Sequence, residues 1–251
     1  MLQRILLLMI FLAFGCKSYH PSTLILVDAE LKSIDGLIKS DAGGLAFKLD
    51  SLVNPYKLEI GDSLKSTIGY NPRFMSRSFE DWDTLNQKFL WNWVTDAVFF
   101  YARDVLNWET DVCLLNKGGL RKDLSLGSIS LEDIYELLPF DNYLCLVELS
   151  QEGEVEMLDY LKQNLQPHNG LRMGFLDQSA KLPSRINLTS HEHELRVLTI
   201  NYLAEGGDGM HFFKNGKINC STVLIRDAVI NYLKNHPEYK VKIDERNYVL
   251  E

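Results

Sequence analysis

The sequence predicts a single domain of mixed α/β fold, on three observations. Its 251 residues have a globular composition, with 46% hydrophobic and 24% charged residues, close to the average for soluble domains. Segments with apolar residues at helical spacing alternate with short runs rich in β-branched and aromatic residues,. The chain shows no internal repeat, no low-complexity tract and no linker long enough to divide it. Such an order of elements is typical of an α/β or α+β architecture around one core.

The N-terminal residues have the pattern of a secretion signal. A basic start with Arg4 is followed by an apolar run, Ile5–Phe14, which is too short to span a bilayer as a helix. The run ends at Gly15-Cys16, which resembles a bacterial lipobox, in which the cysteine is acylated. We therefore expect a lipoprotein anchored to a membrane through Cys16, in the bacterial cell envelope and either periplasmic or surface-facing. An ordinary secretory signal with an incidental cysteine is the alternative.

These patterns divide the chain into three parts. Residues 1–15 form the predicted signal peptide, residues 16–47 a tether and N-terminal extension, and residues 48–251 the folded domain. Helical spacing of apolar residues between 43 and 65 predicts a helix, with a kink or boundary at Pro55,.

The clearest helix is predicted over Gln87–Leu106, after an extended segment, Thr67–Arg77. Its wide apolar stripe predicts packing in the core rather than contact with a cofactor,. A second helix is predicted to begin at Ser130, whose side chain suits a cap on the N–H of Asp133, and to end before Pro139,. Further helices are predicted at Glu152–Leu165 and Val223–Leu233. The predicted strands are Val112–Leu115, Tyr143–Leu149, Leu171–Phe175, Arg185–Thr189, Glu194–Asn201 and Val241–Leu250.

Charge and cysteine content exclude some classes of protein. A net charge of −8 argues against a nucleic-acid binder, which needs a surplus of Lys and Arg to displace counterions. After Cys16 the chain contains Cys113, Cys145 and Cys220, an odd number, with two of them in apolar runs. This pattern predicts buried free thiols rather than a disulfide framework, and the lack of a Cys-x-x-Cys spacing excludes a zinc ribbon.

The strand at Val112–Leu115 stops abruptly at Asn116. The residues that follow are Lys117-Gly118-Gly119-Leu120-Arg121. A buried strand that ends in two glycines and an arginine suits an anion, because the glycines expose backbone N–H groups and the arginine adds charge. A tight strand-to-helix turn without a ligand is the structural alternative.

Three groups of residues resemble the C-terminal domain of the 5'-nucleotidase / UDP-sugar hydrolase family. They are Asn116-x-Gly118-Gly119-Leu120-Arg121; Gly127-x-Ile129-Ser130-x-Glu132-Asp133 with Leu138-Pro139-Phe140-x-Asn142; and Asn201-Tyr202-Leu203-Ala204-x-Gly206-Gly207-Asp208-Gly209. The resemblance implies a four-layer α/β/β/α domain that binds a nucleoside. In the family this domain delivers its ligand to a separate metallophosphoesterase domain that holds two metals. We expect only the C-terminal domain here.

The resemblance also implies which residues bind the ligand. It assigns nucleotide contacts to Arg121, Tyr202 and Asp208: a guanidinium for phosphate or ribose oxygens, a ring for stacking and a carboxylate for ribose hydroxyls. The other expected binding residues are Asn116, Gly118, Gly119, Gly206 and Gly207. Arg121 paired with a neighbouring carboxylate is the structural alternative.

Two departures from the family pattern concern the base. Family members hold it between two aromatics, but residues 164–170 contain neither Phe nor Tyr, leaving His168 as a partial substitute. An arginine expected within residues 157–169 is absent. One lost stacking partner is worth about 1–3 kcal/mol.

The motifs of a two-metal centre are absent from the sequence: there is no Asp-x-His, no Gly-Asp-x-x-Asp and no Gly-Asn-His. His191 and His193 are a candidate pair of metal ligands, but without further ligands nearby in the sequence we interpret them as surface polar residues. We therefore expect no catalytic residue, metal or cofactor in this chain, and divalent metals in a partner metallophosphoesterase. The predicted function is the binding half of a nucleotidase for a nucleotide or nucleotide-sugar. The alternative is a non-catalytic binding or interaction lipoprotein with a decayed pocket.

Overall fold

The computed structural model describes residues 61–78, 89–177, 180–188, 192–237 and 246–250. Within these ranges the chain is mixed α/β, as the sequence predicts, and nearly all of them belong to one compact unit, Asp62–Glu251. The predicted signal peptide, Cys16, the tether and most of the helical pattern at 43–65 lie outside the described residues. None of the helices in the described ranges is long and apolar enough to cross a membrane.

The described elements follow one another as a mixture of strands, helices and short 3-10 turns. The strands are β1 (Thr67–Asn71), β2 (Val112–Leu114), β3 (Gly127–Ser130), β4 (Tyr143–Leu149), β5 (His168–Asn169), β6 (Leu171–Phe175), β7 (Arg185–Leu188), β8 (Leu195–Ile200), β9 (Lys217–Leu224) and β10 (Asn247–Val249). The helices are α1 (Phe89–Asp104), α2 (Leu131–Leu137), α3 (Gln151–Gln163), α4 (Asn201–Ala204) and α5 (Ile225–Asn235), with 3-10 turns at Lys117–Gly119, Gly207–Gly209 and His211–Asn215.

These strands form three sheets in the described part of the chain. The largest has the order β5-β2-β8-β4-β9, a second has the order β10-β6-β7, and β1 pairs with β3. In the largest sheet β2 and β8 are parallel neighbours, with Val112 opposite Val197. Since parallel strands end at the same edge of a sheet, the segments that follow β2 and β8 are brought together.

Helix α1 supplies much of the core, as its apolar stripe predicts. Most of its side chains are buried, including Trp93, Val94 and Val98, and burial of each large apolar side chain contributes about 1.5–3 kcal/mol. The helix packs against α5 and against β2 and β5.

A buried ion pair ties α1 to Arg246, the residue before β10. The guanidinium Nη2 of Arg246 lies 2.7 Å from Oδ1 of Asp96, and both side chains are almost fully buried. The same carboxylate oxygen accepts a bond of 2.7 Å from Asn169 Nδ2. Because a buried charge without a partner is costly, these contacts hold the chain around Arg246 close to α1 and β5.

Helix α2 begins as predicted. The hydroxyl of Ser130 accepts a bond from the N–H of Asp133, and the Asp133 carboxylate accepts one from the N–H of Ser130, which completes a capping box,. Helix α3 is capped in a similar way by Ser150, whose hydroxyl accepts from the N–H of Gly153.

The prediction of free thiols is wrong for two of the three cysteines. Cys145 of β4 and Cys220 of β9 form a disulfide, and Cys220 is exposed rather than buried. The two residues lie directly opposite each other in antiparallel strands, a relationship that cysteine spacing in the sequence does not show. Cys113 is buried and free, as predicted. Burial, with a smaller contribution from Asp96, raises the pKa of its thiol well above the ordinary range.

Candidate functional site

The two glycine-containing segments meet in an open cleft at the edge of the largest sheet. Its volume is about 430 Å³, and it is lined by Asn116, Gly118, Gly119, Arg121, Phe140, Asn142, Tyr202 and Asp208. The first four residues follow β2, and the last two follow β8. The parallel pairing of these strands thus brings together residues from sequence motifs about eighty positions apart. The structure places six of the eight predicted binding residues in this cleft.

Asp208 is the centre of the polar contacts in the cleft. Its Oδ2 accepts a bond of 2.7 Å from Nδ2 of Asn116, which links the two segments. Its Oδ1 accepts a bond of 2.8 Å from the hydroxyl of Tyr202. This bond to the carboxylate is the largest cause that raises the pKa of Tyr202, so the phenol keeps its proton at neutral pH.

The backbone of Asp208 is also held on both sides. Its N–H donates to the hydroxyl of Tyr202 at 3.3 Å, and its carbonyl accepts from the hydroxyl of Tyr160 at 2.9 Å. Its φ of 52° and ψ of 23° lie in the left-handed region, which costs a non-glycine residue about 1 kcal/mol or more. Strained backbone of this kind persists only where surrounding contacts fix it, and it is concentrated at functional sites.

The other two predicted binding residues, Gly206 and Gly207, are not among the residues that line the cleft. Gly206 has a φ of 91°, which a residue with a side chain rarely adopts,. A Cβ on Gly207 would lie 2.5 Å from Cζ of Tyr202 and 2.6 Å from the Tyr202 carbonyl oxygen. Gly207 therefore makes room for Tyr202, which exposes 44% of its surface.

Arg121 has an exposed side chain at the cleft wall. Its Nη1 donates to the carbonyl of Gly118 at 3.4 Å, and its guanidinium carbon lies 5.9 Å from the ring centroid of Phe140. No carboxylate in the described part of the chain forms an ion pair with Arg121. The alternative prediction, that Arg121 is paired with a neighbouring carboxylate, is therefore wrong for the carboxylates that the structure describes.

Phe140 is a second aromatic residue in the cleft that sequence reasoning gave no role. It exposes 47% of its surface and lines the same cleft as Tyr202. The available signal was its place in the motif Leu138-Pro139-Phe140-x-Asn142, which is part of the resemblance to the family.

The suggestion that His168 substitutes for the missing aromatic is wrong. His168 is only 3% exposed, and its Nε2 lies 3.4 Å from Oδ1 of Asn247. Its strand, β5, pairs with β2 in the largest sheet, and His168 is not among the residues that line the cleft.

A second, more basic cleft adjoins the first. It has a volume of about 520 Å³ and shares Gly118 and Arg121 with its neighbour; its lining also includes Ser76, Arg77, Ser78, Trp91, Lys117, Leu120 and Asp123. Three cations thus face one carboxylate, which lies 4.0 Å from Nε of Arg77. The family pattern predicts a further arginine within residues 157–169, where there is none, and it assigns no role to Arg77. No local pattern in the sequence around Arg77 marks it as a binding residue.

The structure describes one residue of the histidine pair, His193, which contacts a carboxylate. Nε2 of His193 lies 3.0 Å from Oδ2 of Asp111, a carboxylate that also accepts from the backbone N–H of Arg196. His191 lies outside the described residues. Among the residues that the structure describes, no group of three or more His, Cys, Asp or Glu side chains is placed to hold a metal ion.

The match to a family model includes the residues that line the cleft. Residues 63–215 match the family model described as "5'-nucleotidase, C-terminal domain". No curated protein matches the chain at the level of sequence.

Solved structures with the same fold include three bacterial nucleotidases. The 5'-nucleotidase precursor of Thermus thermophilus has a TM-score of 0.63 and 20% identity, covering 81% of this chain and 43% of that protein. The NAD nucleotidase of Haemophilus influenzae has a TM-score of 0.57 and 16% identity, covering 80% and 41%. A putative 5'-nucleotidase of Staphylococcus aureus, solved in complex with alpha-ketoglutarate, has a TM-score of 0.55 and 16% identity, covering 76% and 42%. This chain therefore spans less than half the length of these relatives.

Proposed function

The chain belongs to the 5'-nucleotidase C-terminal domain family, and we propose that it is the nucleotide-binding half of a 5'-nucleotidase-type hydrolase. The observation that carries the proposal is the convergence of Asn116, Arg121, Tyr202 and Asp208 on one open cleft. A guanidinium, an exposed ring and a carboxylate are the three groups that a nucleotide needs for its anionic, aromatic and hydroxyl parts.

The two clefts suggest how the ligand is divided. The base stacks on Tyr202 and Phe140, the two exposed aromatics of the first cleft, where one ring contributes about 1–3 kcal/mol. The ribose hydroxyls donate to Asp208, whose carboxylate oxygens keep further acceptor capacity. The phosphate or the diphosphate of a nucleotide-sugar points to the second cleft, where Arg77 and Lys117 add positive charge beside Arg121.

The chemical step belongs to a partner in this proposal. Hydrolysis in a two-metal site requires a set of His and carboxylate ligands that clamp the attacking and leaving oxygens, and the described residues offer no such group. A separately encoded metallophosphoesterase supplies the divalent metals, while this chain binds and orients the nucleotide.

We place the protein in the bacterial cell envelope, held by a lipid on Cys16. The apolar run that ends at Gly15-Cys16 supports acylation,. The disulfide between Cys145 and Cys220 supports an oxidising compartment outside the cytosol,.

A non-catalytic interaction lipoprotein with a decayed pocket is the second candidate. One observation favours it: both carboxylate oxygens of Asp208 already accept a hydrogen bond from a protein group. In this case the cleft residues stabilise the fold of the two segments and bind no nucleotide.

Calorimetric titration separates the candidates. The purified chain is titrated with AMP, adenosine and UDP-glucose, beside Asp208→Ala and the control Asp159→Ala, an exposed acid on α3 that pairs with Lys162. Binding that Asp208→Ala abolishes and Asp159→Ala preserves supports the nucleotide-binding proposal. Lack of binding by the wild-type chain favours the interaction protein. Hydrolysis of AMP by the chain alone with added divalent metal contradicts the assignment of catalysis to a partner.

A further inference from the structure

A chain of hydrogen bonds connects the two cleft segments through residues outside the cleft lining. The backbone N–H of Lys117 donates to Oε1 of Gln166 at 3.0 Å. Nε2 of Gln166 approaches the hydroxyl of Tyr160 at 3.4 Å, and that hydroxyl donates to the carbonyl of Asp208 at 2.9 Å. Neither Gln166 nor Tyr160 lines the cleft, so this bridge supports the wall of the site without forming it.

Both bridging residues are firmly placed by their surroundings. Gln166 is only 4% exposed, and a buried amide has to form hydrogen bonds to avoid a cost of about 1–3 kcal/mol. Tyr160 belongs to α3, and its ring packs against Phe212 with the centroids 5.7 Å apart. The bridge therefore ties the segment after β8 to α3 through Tyr160, and the segment after β2 to Gln166, just beyond the end of that helix. A helix is a more rigid support than a loop alone.

Burial is the largest cause that raises the pKa of Tyr160, and the charge of Asp208 adds to it. The phenol consequently remains protonated at neutral pH and keeps its donor for the Asp208 carbonyl. This is the direction of donation that the bridge requires.

Each hydrogen-bonding group of Asp208 is thereby fixed. Its N–H and Oδ1 are bonded to Tyr202, its Oδ2 to Asn116 and its carbonyl to Tyr160. The Tyr160 bond is made by the backbone next to the strained φ of 52°, so it stabilises the conformation that directs the carboxylate into the cleft. Without it, the backbone is free to relax toward a more common conformation.

We propose that Tyr160 and Gln166 are positioning residues that hold the Asp208 carboxylate in place and thereby give the cleft its preference for a ribose with both hydroxyls. The inference rests on the proposed function. A fixed carboxylate cannot reorient when one ligand hydroxyl is missing, so the acceptor position that this hydroxyl would fill loses its partner and the deoxy analogue binds less tightly. A carboxylate that is free to reorient forms a hydrogen bond with water instead, so the affinity lost with the deoxy analogue is smaller.

The test compares AMP with 2'-deoxy-AMP by calorimetry on four variants of the full chain. Tyr160→Phe removes the hydroxyl and keeps the ring; Gln166→Leu removes both amide contacts at similar volume. The matched controls are Tyr135→Phe on the exposed face of α2 and Gln163→Leu on the exposed face of α3. Thermal unfolding of each variant is measured alongside.

For the wild-type chain we expect a preference for AMP of about tenfold, the effect of one hydrogen bond to a charged group. Tyr160→Phe and Gln166→Leu should each reduce this preference by about threefold or more, because AMP loses affinity while 2'-deoxy-AMP changes less. The control variants should keep the wild-type preference.

Three outcomes overturn the inference, and they are distinguishable. If the wild-type chain binds neither ligand, the proposed function fails and the inference fails with it. If it binds AMP and the preference is unchanged in both bridge variants, only the inference fails. If the variants weaken both ligands equally and lower the unfolding temperature, the bridge is a structural support without an effect on specificity.

Discussion

The hydroxyl of Tyr202 donates a hydrogen bond of 2.8 Å to the carboxylate of Asp208, six residues further along the chain. In the proposed function Tyr202 stacks on the base and Asp208 binds the ribose hydroxyls, so this bond couples two parts of the binding site. It also fixes the tyrosine ring at its para position before any ligand arrives. Such preorganisation lowers the entropy lost on binding.

Substitution of Tyr202 separates its hydroxyl from its ring. Tyr202→Phe keeps the stacking surface and removes one hydrogen bond, and we expect it to weaken AMP binding about fivefold. Tyr202→Ala also removes the ring and should weaken binding by about tenfold or more. Calorimetric dissociation constants provide the measurement, with Tyr143→Phe as control because that tyrosine is exposed outside the cleft lining. Equal affinity of Tyr202→Ala and wild type would contradict the stacking role.

The close contact between Gly207 and Tyr202 predicts a second effect. In Gly207→Ala the added Cβ would lie 2.6 Å from the Tyr202 carbonyl oxygen, so the backbone has to move. We expect displacement of Tyr202 and a loss of AMP affinity of about tenfold, comparable to the loss of a stacking partner. Gly61→Ala is the matched control, because a Cβ at Gly61 has no neighbour within 4 Å. An unchanged affinity in Gly207→Ala would show that Tyr202 does not contact the ligand from its present position.

The sequence predicts those parts of the molecule that depend on local patterns. The apolar stripe of α1, the cap at Ser130 and the strand Tyr143–Leu149 all appear as expected. By contrast, β9 shows no simple alternation of buried and exposed residues, since its first four positions are all exposed. Strand signals depend on burial of one face, which explains why sequence reasoning missed this edge strand.

In the candidate site, too, the sequence predicts the residues that lie in local motifs and misses those that depend on the folded arrangement. Asn116, Arg121, Tyr202 and Asp208 were identified because they lie in compact motifs. Arg77 and the bridge residue Gln166 are linked to the site only by the folded arrangement of distant segments, and no local pattern marks them. The pairing of Cys145 with Cys220 depends in turn on the register of β4 and β9.

The disulfide predicts a measurable contribution to stability. It joins residues separated by 75 positions, and the loop-entropy model assigns a bond over such a distance about 4 kcal/mol. Urea unfolding with and without reductant should show a decrease in the free energy of unfolding of this order. The double variant Cys145→Ala/Cys220→Ala should unfold at the same urea concentration in both conditions. A wild-type transition insensitive to reductant, despite demonstrated loss of the bond, would contradict the prediction.

Asp111 predicts how stability depends on pH. Burial is the largest single influence and acts to raise the pKa of its carboxyl, but hydrogen bonds from the Arg196 backbone and side chain and from His193 together lower it. A carboxyl whose pKa is lower in the folded state stabilises the protein above its unfolded pKa, about 3.9. This stabilisation is lost as the pH falls through the folded value.

The free energy of unfolding of the wild-type chain should therefore decrease below about pH 4. In Asp111→Asn the carboxyl is absent, so stability at neutral pH should be lower and the decrease on acidification smaller. Urea unfolding at a series of pH values measures both quantities. The control is Asp141→Asn, which alters an exposed carboxylate that pairs with Arg226 and whose contribution solvent screening limits. Parallel pH profiles for Asp111→Asn and the wild type would show that the contacts of Asp111 with Arg196 and His193 do not stabilise the folded state.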